Sequence, residues 1–199
     1  PRRWKEILKP AVETLAIFPS VVIGFIGLVV LAPFLARTFG LSHGLTALTG
    51  VIMLAVMALP TIVSIAEDAL TSVPHEYKEA AYALGANQVE TIVRVTIPAA
   101  KSGITAAVML GFGRAIGETM TLLMVAGNAL SMPVTYLAGI PCPNYRRSVR
   151  TLTATIAIEG LDVPWGSLHY SALFVIGGIL FGFTFLVNLI ADLVLHRKE

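Results

Sequence analysis

Charge is scarce in this 199-residue chain. Asp, Glu, Lys and Arg together make up 13% of it, about half of the ~25% usual in a soluble domain. With 56% hydrophobic residues and a mean hydropathy of +0.80, this composition marks an integral membrane protein rather than a soluble enzyme. The net charge of +2 carries little information, because in a membrane the distribution of Lys and Arg matters more than their sum. Cysteine is nearly absent. The single Cys142 excludes an intrachain disulfide and any multi-cysteine metal site. The four histidines, His43, His75, His169 and His196, stand at unrelated spacings, so the pattern indicates no metal site and no catalytic base. No nucleophile–base pair is visible either, and we assign no catalytic residue. No G-x-x-x-x-G-K-[ST] stretch is present to cradle a nucleotide phosphate. Residue 1 is proline and no signal-peptide pattern opens the chain, so we expect a later part of a longer protein, with further spans upstream.

Long apolar runs are abundant. Four read as membrane spans: about 17–36, 45–65, 102–126 and 171–193. Pro19 and Pro33 sit near the ends of the first, and Pro60 lies inside the second and should kink it. The last contains Gly178-x-x-x-Gly182, a possible close-packing patch. The stretch 128–168 is broken by Pro133, Pro141, Pro143 and Pro164, and 151–158 within it is too short to cross. The expected fold is all-α, a polytopic helical bundle. Four spans put the N-terminus, the 67–101 loop and the C-terminus on one side. That side collects nine cations (Arg2, Arg3, Lys5, Lys9, Lys78, Arg94, Lys101, Arg197 and Lys198) against Arg37, Arg146, Arg147 and Arg150 on the other. The positive-inside rule makes the first side cytoplasmic.

The third run breaks the apolar rule at its centre. Gly111-Phe-Gly-Arg114-Ala-Ile-Gly-Glu118-Thr119 places two opposite charges there, with Arg114 13 residues from Lys101 and 14 from Asn128. At ~1.5 Å per residue either edge is roughly 20 Å away, too far for an arginine to snorkel out. A continuous helix would put Arg114 and Glu118, spaced i,i+4, on one face with Gly103, Ala107, Gly111 and Thr121. A mid-membrane charge costs ~2.5–3.5 kcal/mol on insertion scales, and one Leu or Ile returns only ~0.3–0.6. That face must therefore pack on other helices or line a wet path. A structural ion pair and a solute site both satisfy this condition.

Residues 67–101 are too charged for hydrocarbon yet have helical grammar. Ser72 and Pro74 stand at a helix start, Gly85 supplies a stop, and Asn87-x-x-Glu90 resembles a capping box that restarts a helix ending before Pro98. The expected product is a helix–turn–helix on the membrane surface. Within it, Glu79-Ala80-Ala81-x-x-x-Gly85, nine residues, then Val95-x-Ile97-Pro98 resembles the EAA loop of ABC importer permeases. Phe18-Pro-Ser-Val-Val-Ile-Gly24, Arg114-Ala-Ile-Gly-Glu-Thr119 with Val125-Ala-Gly-Asn128, and Ser148-Val-Arg-Thr-Leu-Thr-Ala-Thr-Ile-Ala157 are similar to phosphate-specific ABC permeases, the last closer to the PstC-type than to the PstA-type subunit. Pro141-Cys-Pro-Asn-Tyr-Arg-Arg147 matches no pattern of that family, and Ile23 stands where a tyrosine is common.

The resemblance implies a type I importer (MetI-like) transmembrane domain in the plasma or inner membrane. It also implies a second, PstA-type permease subunit, a pair of ABC ATPase subunits and an extracytoplasmic phosphate-binding protein. Its coupling contacts fall on Glu79, Ala80, Ala81, Gly85 and Pro98, and ATP hydrolysis belongs to the partner ATPases. No cofactor or metal is implied. On this view phosphate passes along the face bearing Arg114, whose planar fork suits phosphate oxygens. Glu118 would hold Arg114 between passages, with Thr119, Thr121 and Asn128 adding hydrogen bonds or merely packing. Arg146, Arg147 and Arg150 would attract phosphate, dock the binding protein, or form a solvated loop. Two rival readings stay open: an ABC permease for another oxyanion or small solute, and an ion-coupled secondary transporter, which leaves the 79–98 spacing unexplained.

Overall fold

A computed structural model describes residues 10, 12, 14, 17–137 and 140–196. The N-terminal cations Arg2, Arg3, Lys5 and Lys9, and Arg197 and Lys198, lie outside the described residues. The chain is helical, with α1 Ser20–Phe39, α2 Ala47–Thr71, α3 His75–Ala83, α4 Gln88–Ala99, α5 Lys101–Ile116, α6 Met120–Val125, α7 Leu152–Glu159 and α8 Leu168–His196. A two-stranded antiparallel hairpin, β1 Val134–Leu137 with β2 Ile140–Pro143, pairs Thr135 with Cys142. The proline-broken stretch gave no sequence signal for this hairpin, because Pro141 and Pro143 disfavour a ladder. As a lone two-stranded ribbon, it leaves those prolines at an edge.

Among the described residues three helices are individually long and apolar enough to cross a bilayer: Ser20–Phe39, Ala47–Thr71 and Leu168–Ile190. The first starts after Pro19 and ends at Gly40, whose φ of 62° closes the helix in the left-handed region. Pro33 sits inside it, at a position where the missing N–H and the ring would disrupt an α-turn. The chain answers with a π-turn over Gly27–Leu31, closed by an i→i−5 bond from Ala32 N to Gly27 O. The same device recurs over Ile92–Thr96, where Ile97 N donates to Ile92 O immediately before Pro98. The expectation that the surface helix stops before Pro98 is therefore corrected: the widened turn lets α4 run through to Ala99. By contrast, α2 passes through Pro60 as one helix of 25 residues.

The third expected span is also corrected. It is not one helix over 102–126, because α5 stops at Ile116 and α6 begins at Met120. Alone, α5 has 16 residues, ~24 Å of rise against a hydrocarbon core of ~30 Å. It meets the length and apolarity of a span only together with α4, from which it is bent by 68°.

By its packing the chain divides into two compact units. One holds Ala58–Arg114 with 186–196, the other Ile17–Met57 with Ala115–Phe185. In the first, α5 packs antiparallel on α2 through glycines. A Cβ on Gly103 would stand 2.4 Å from Ala69 Cβ, and one on Gly111 would stand 2.3 Å from Ile62 Cγ1. Ala107, between them, is fully buried. The small-residue stripe read from the helical period thus faces a helix, and Val108 and Phe112 on the other side are exposed.

In the second unit Ile23, Met53, Met57 and Val125 form a small apolar core, with Leu28, Leu31 and Met124 against it. Gly27 lets α1 approach α6 and α2, since a Cβ there would meet Val125 Cγ1 at 2.9 Å and Met53 Cγ at 3.0 Å. Backbone carbonyls of the 128–168 stretch satisfy the first amides of α2: Ala47 N donates to Arg147 O and Leu48 N to Tyr145 O.

Gly44 presses hardest on a neighbour, because a Cβ there would lie 1.7 Å from Ala32 O, a backbone atom that cannot rotate away. Gly44→Ala should destabilise the protein by about 1–3 kcal/mol or more through overpacking. A thermal melt of the purified membrane protein in detergent checks this, and an unchanged midpoint would contradict the close approach of α1 to the α2 entry.

Candidate solute pathway and coupling elbow

The surface elbow forms as its punctuation requires. Helix α3 ends in a left-handed Gly85 (φ 83°), with Gly85 N donating to Tyr82 O and Ala86 N to Ala81 O. That is the paired bonding of a Schellman stop, which glycine accommodates without strain. Asn87 then starts α4 with a complete capping box: Glu90 N donates to Asn87 Oδ1 at 2.9 Å, and Asn87 N to Glu90 Oε2 at 3.0 Å. Glu79, Ala80, Gly85 and Pro98 are exposed, and only Ala81 is buried beneath the turn. A cleft of about 450 Å³ opens between the two helices, lined in part by Tyr77, Ala80, Leu84, Glu90 and Arg94. Leu84 (89% exposed) and Val89 (68%) stand out at the bend. Apolar side chains so exposed at a charged turn make this a surface built for contact.

Arg114 lies in the last turn of α5 and belongs to the first unit. Its Nη1 donates to Thr61 Oγ1 on α2 at 3.3 Å, and its side chain is otherwise exposed. One position before it, Gly113 leaves α5 open toward Asn188 Oδ1 of α8, 3.8 Å from where a Cβ would stand. Thr61 and Asn188 are the polar neighbours that sequence reasoning missed. Their one signal was a polar residue in an apolar run, Thr61 directly after Pro60.

Glu118 belongs to the second unit, beyond the end of α5. The i,i+4 helical relation to Arg114 therefore does not hold, since the backbone leaves the helix at Gly117–Thr119. Gly117 is a poor helix former, and Glu118 Oε1 accepts from Thr121 N at 3.1 Å. That is the role of a capping side chain at the start of a new helix. Glu118 O in turn accepts from Thr153 Oγ1 of α7 at 3.3 Å. Thr119 Oγ1 bonds only locally, to Gly117 O. Thr121 is fully buried and its hydroxyl lies 3.0 Å from Ser20 O and 3.1 Å from Met57 Sδ. The expectation that Thr121 borders an open path is corrected: it fastens α6 to α1 within the core.

The family described as "Binding-protein-dependent transport system inner membrane component" matches residues 1–140. The chain belongs to that family. It is 38% identical over its whole length to the "Probable ABC transporter permease protein YqgH" of Bacillus subtilis, covering 62% of that protein. It is also 38% identical, again over its whole length, to the "Phosphate transport system permease protein PstC" of Mesorhizobium japonicum, covering 64% of it. The Haemophilus influenzae protein of the same name is 30% identical, with 66% of it covered. The chain thus spans a little under two thirds of the relatives it matches. No solved structure matches. Membership in an inner-membrane family and several crossing helices make this a multi-pass inner-membrane protein.

In this inner-membrane component the 128–168 stretch is less free than its three arginines suggest. Arg150 Nη1 pairs with Glu159 Oε1 of α7 at 2.5 Å, and its Nε donates to Asn128 O at 3.2 Å. Glu159 Oε2 meets His169 Nε2 at the start of α8, 2.6 Å away. Arg146 sits 5.3 Å from the ring centroid of Phe39, a cation–π distance. Asn128 takes a left-handed φ of 55° after Gly127, its N–H donating to Val149 O and its Nδ2 to Leu123 O. These bonds tie the α6 exit to the loop. The His169 hydrogen bond, more than the charges of His169 and Arg150, holds the Glu159 carboxyl below its ordinary pKa, although desolvation opposes this. Among the described residues no group of three His, Cys, Asp or Glu is placed to hold a metal.

Two predictions follow from these contacts. Asn87→Ala removes the capping box and should cost about 1 kcal/mol locally, so hydrogen exchange at residues 88–91 should quicken about fivefold. Unchanged exchange would show that the cap does not hold the elbow. A lowered carboxyl pKa contributes stability above the unfolded value and loses it as pH falls through the folded one. His169→Ala should therefore raise the Glu159 pKa toward its ordinary value, lower stability at neutral pH and flatten its fall on acidification, a shift in the shape of the pH profile. Melting temperatures measured on titration downward from neutral pH would show that shift or refute it.

Proposed function

We propose that this chain is the permease subunit of an ATP-driven phosphate importer, non-enzymatic itself, with a path for phosphate bordered by Arg114. The observation that carries the reading is a permanently charged, exposed guanidinium at the C-terminal end of an apolar helix, in a chain 38% identical along its whole length to a protein named as a phosphate transport permease. An uncompensated cation there is costly in lipid, and it suits an oxyanion because its fork presents paired donors. Glu118 and Thr119, next in the chain, shape the helix break rather than neutralise the cation. Glu79, Ala80, Ala81, Gly85 and Pro98 on the α3–α4 elbow receive the ATPase subunits, which supply the hydrolysis. A PstA-type permease subunit completes the pathway and an extracytoplasmic binding protein delivers phosphate. The elbow and both termini face the cytoplasm, and 128–168 faces outward. Exposure of the elbow and its open cleft support the coupling role.

Arg114→Gln in the assembled transporter should lower phosphate uptake about ten- to a hundredfold, the loss of hydrogen bonds to a charged group. Wild-type flux would refute the pathway role. Sulfate or molybdate uptake in place of phosphate would favour a different oxyanion.

A further inference from the structure

We propose that Thr61 is a second solute ligand beside Arg114: it aims the guanidinium with its oxygen and offers its own hydroxyl proton to the passing oxyanion. This rests on the reading of Arg114 as a pathway residue and extends it to a named partner. Threonines in the helices of this protein ordinarily spend that proton on the carbonyl one turn back. Thr38 does so to Phe34 O, Thr91 to Asn87 O, Thr105 to Lys101 O and Thr184 to Leu180 O, all at 2.8–2.9 Å. Thr61 does not. Its hydroxyl oxygen accepts from Arg114 Nη1 at 3.3 Å and has no other partner among the described residues. The proton is left unengaged on a half-buried side chain, next to a cation that also has unengaged donors.

The backbone explains how the two meet. Gly111, one turn before Arg114, packs against Ile62 and Ala58 O, the residues that bracket Thr61 on α2. A glycine there allows the two helices to approach closely enough for Arg114 to reach the neighbouring hydroxyl. The nature of the partner matters as much as its place. A guanidinium has five N–H donors, and a neutral hydroxyl takes one while cancelling none of the charge. A carboxylate in that place would occupy two donors and compete with the anion. The pair therefore presents a full positive charge with donors from both α2 and α5 converging on one point, a chemistry that takes a tetrahedral oxyanion.

The test uses the complete transporter with its partner subunits and binding protein, at matched abundance in the membrane, with inorganic phosphate as the probe. Thr61→Val keeps the shape and deletes the hydroxyl, and should lower maximal uptake about tenfold, the loss of one hydrogen bond to a charged group. Thr61→Ser keeps the hydroxyl and should stay close to wild type. Thr61→Val added to Arg114→Gln should cost nothing beyond Arg114→Gln alone, as for two residues acting on one ligand. Wild-type uptake by Thr61→Val overturns the proposal. So does equal damage from Thr61→Ser, which would make Thr61 a packing residue, and so do independent losses in the double variant. If Arg114→Gln itself transports normally, the pathway reading falls and this one with it. Loss in Arg114→Gln with an unaffected Thr61→Val removes only Thr61.

Discussion

A buried backbone N–H or C=O, in hydrocarbon or beneath packed helices, must find a partner within the protein, and this constraint shapes the irregular points of the helices. Pro33 and Pro98 would each break an α-turn. The i→i−5 bonds from Ala32 to Gly27 and from Ile97 to Ile92 widen the turn ahead of them, so both helices continue. The break after Ile116 is handled differently. There the chain leaves the helix altogether, and Glu118 takes up an amide of the next one through Thr121 N. A carboxylate spent on capping is an expensive group in an apolar run, and here it marks the point where the helix is interrupted.

Each member of the charged pair has a hydrogen-bond partner within its own unit. Arg114 finds a neutral hydroxyl on α2, and Glu118 finds the backbone of α6. The neutral hydroxyl of Thr61 leaves the charge of the guanidinium uncancelled.

At the other end of the same unit, α3 and α4 depend on local chemistry alone. A Schellman stop at Gly85 and a capping box at Asn87 build the elbow with little burial beneath it. A motif held by its own caps can remain rigid while its apolar residues, Leu84 and Val89, stay outside. The elbow leads into a continuous helix, α4, which the π-turn preserves across Pro98.

Much of this was determined by the sequence alone. The apolar runs set the helical membrane class and three of the crossing helices to within a few residues, because length and hydropathy decide who can span. The elbow was legible to the residue, since caps and glycine stops act between near neighbours, as Asn87 and Glu90 do. The small face of α5 was legible from the helical period, and Gly103 and Gly111 do meet α2. What failed in the sequence were features that depend on bonds between distant segments or on competition between local ones. The break at 117–119 depends on Glu118 choosing a backbone amide over Arg114. The burial of Thr121 depends on α1 arriving with Ser20 O. The tethering of Arg150 to Glu159, and of Arg114 to Thr61 fifty-three residues away, were decided by the tertiary structure, because hydrogen-bond partners across packed helices leave no period and no spacing to read.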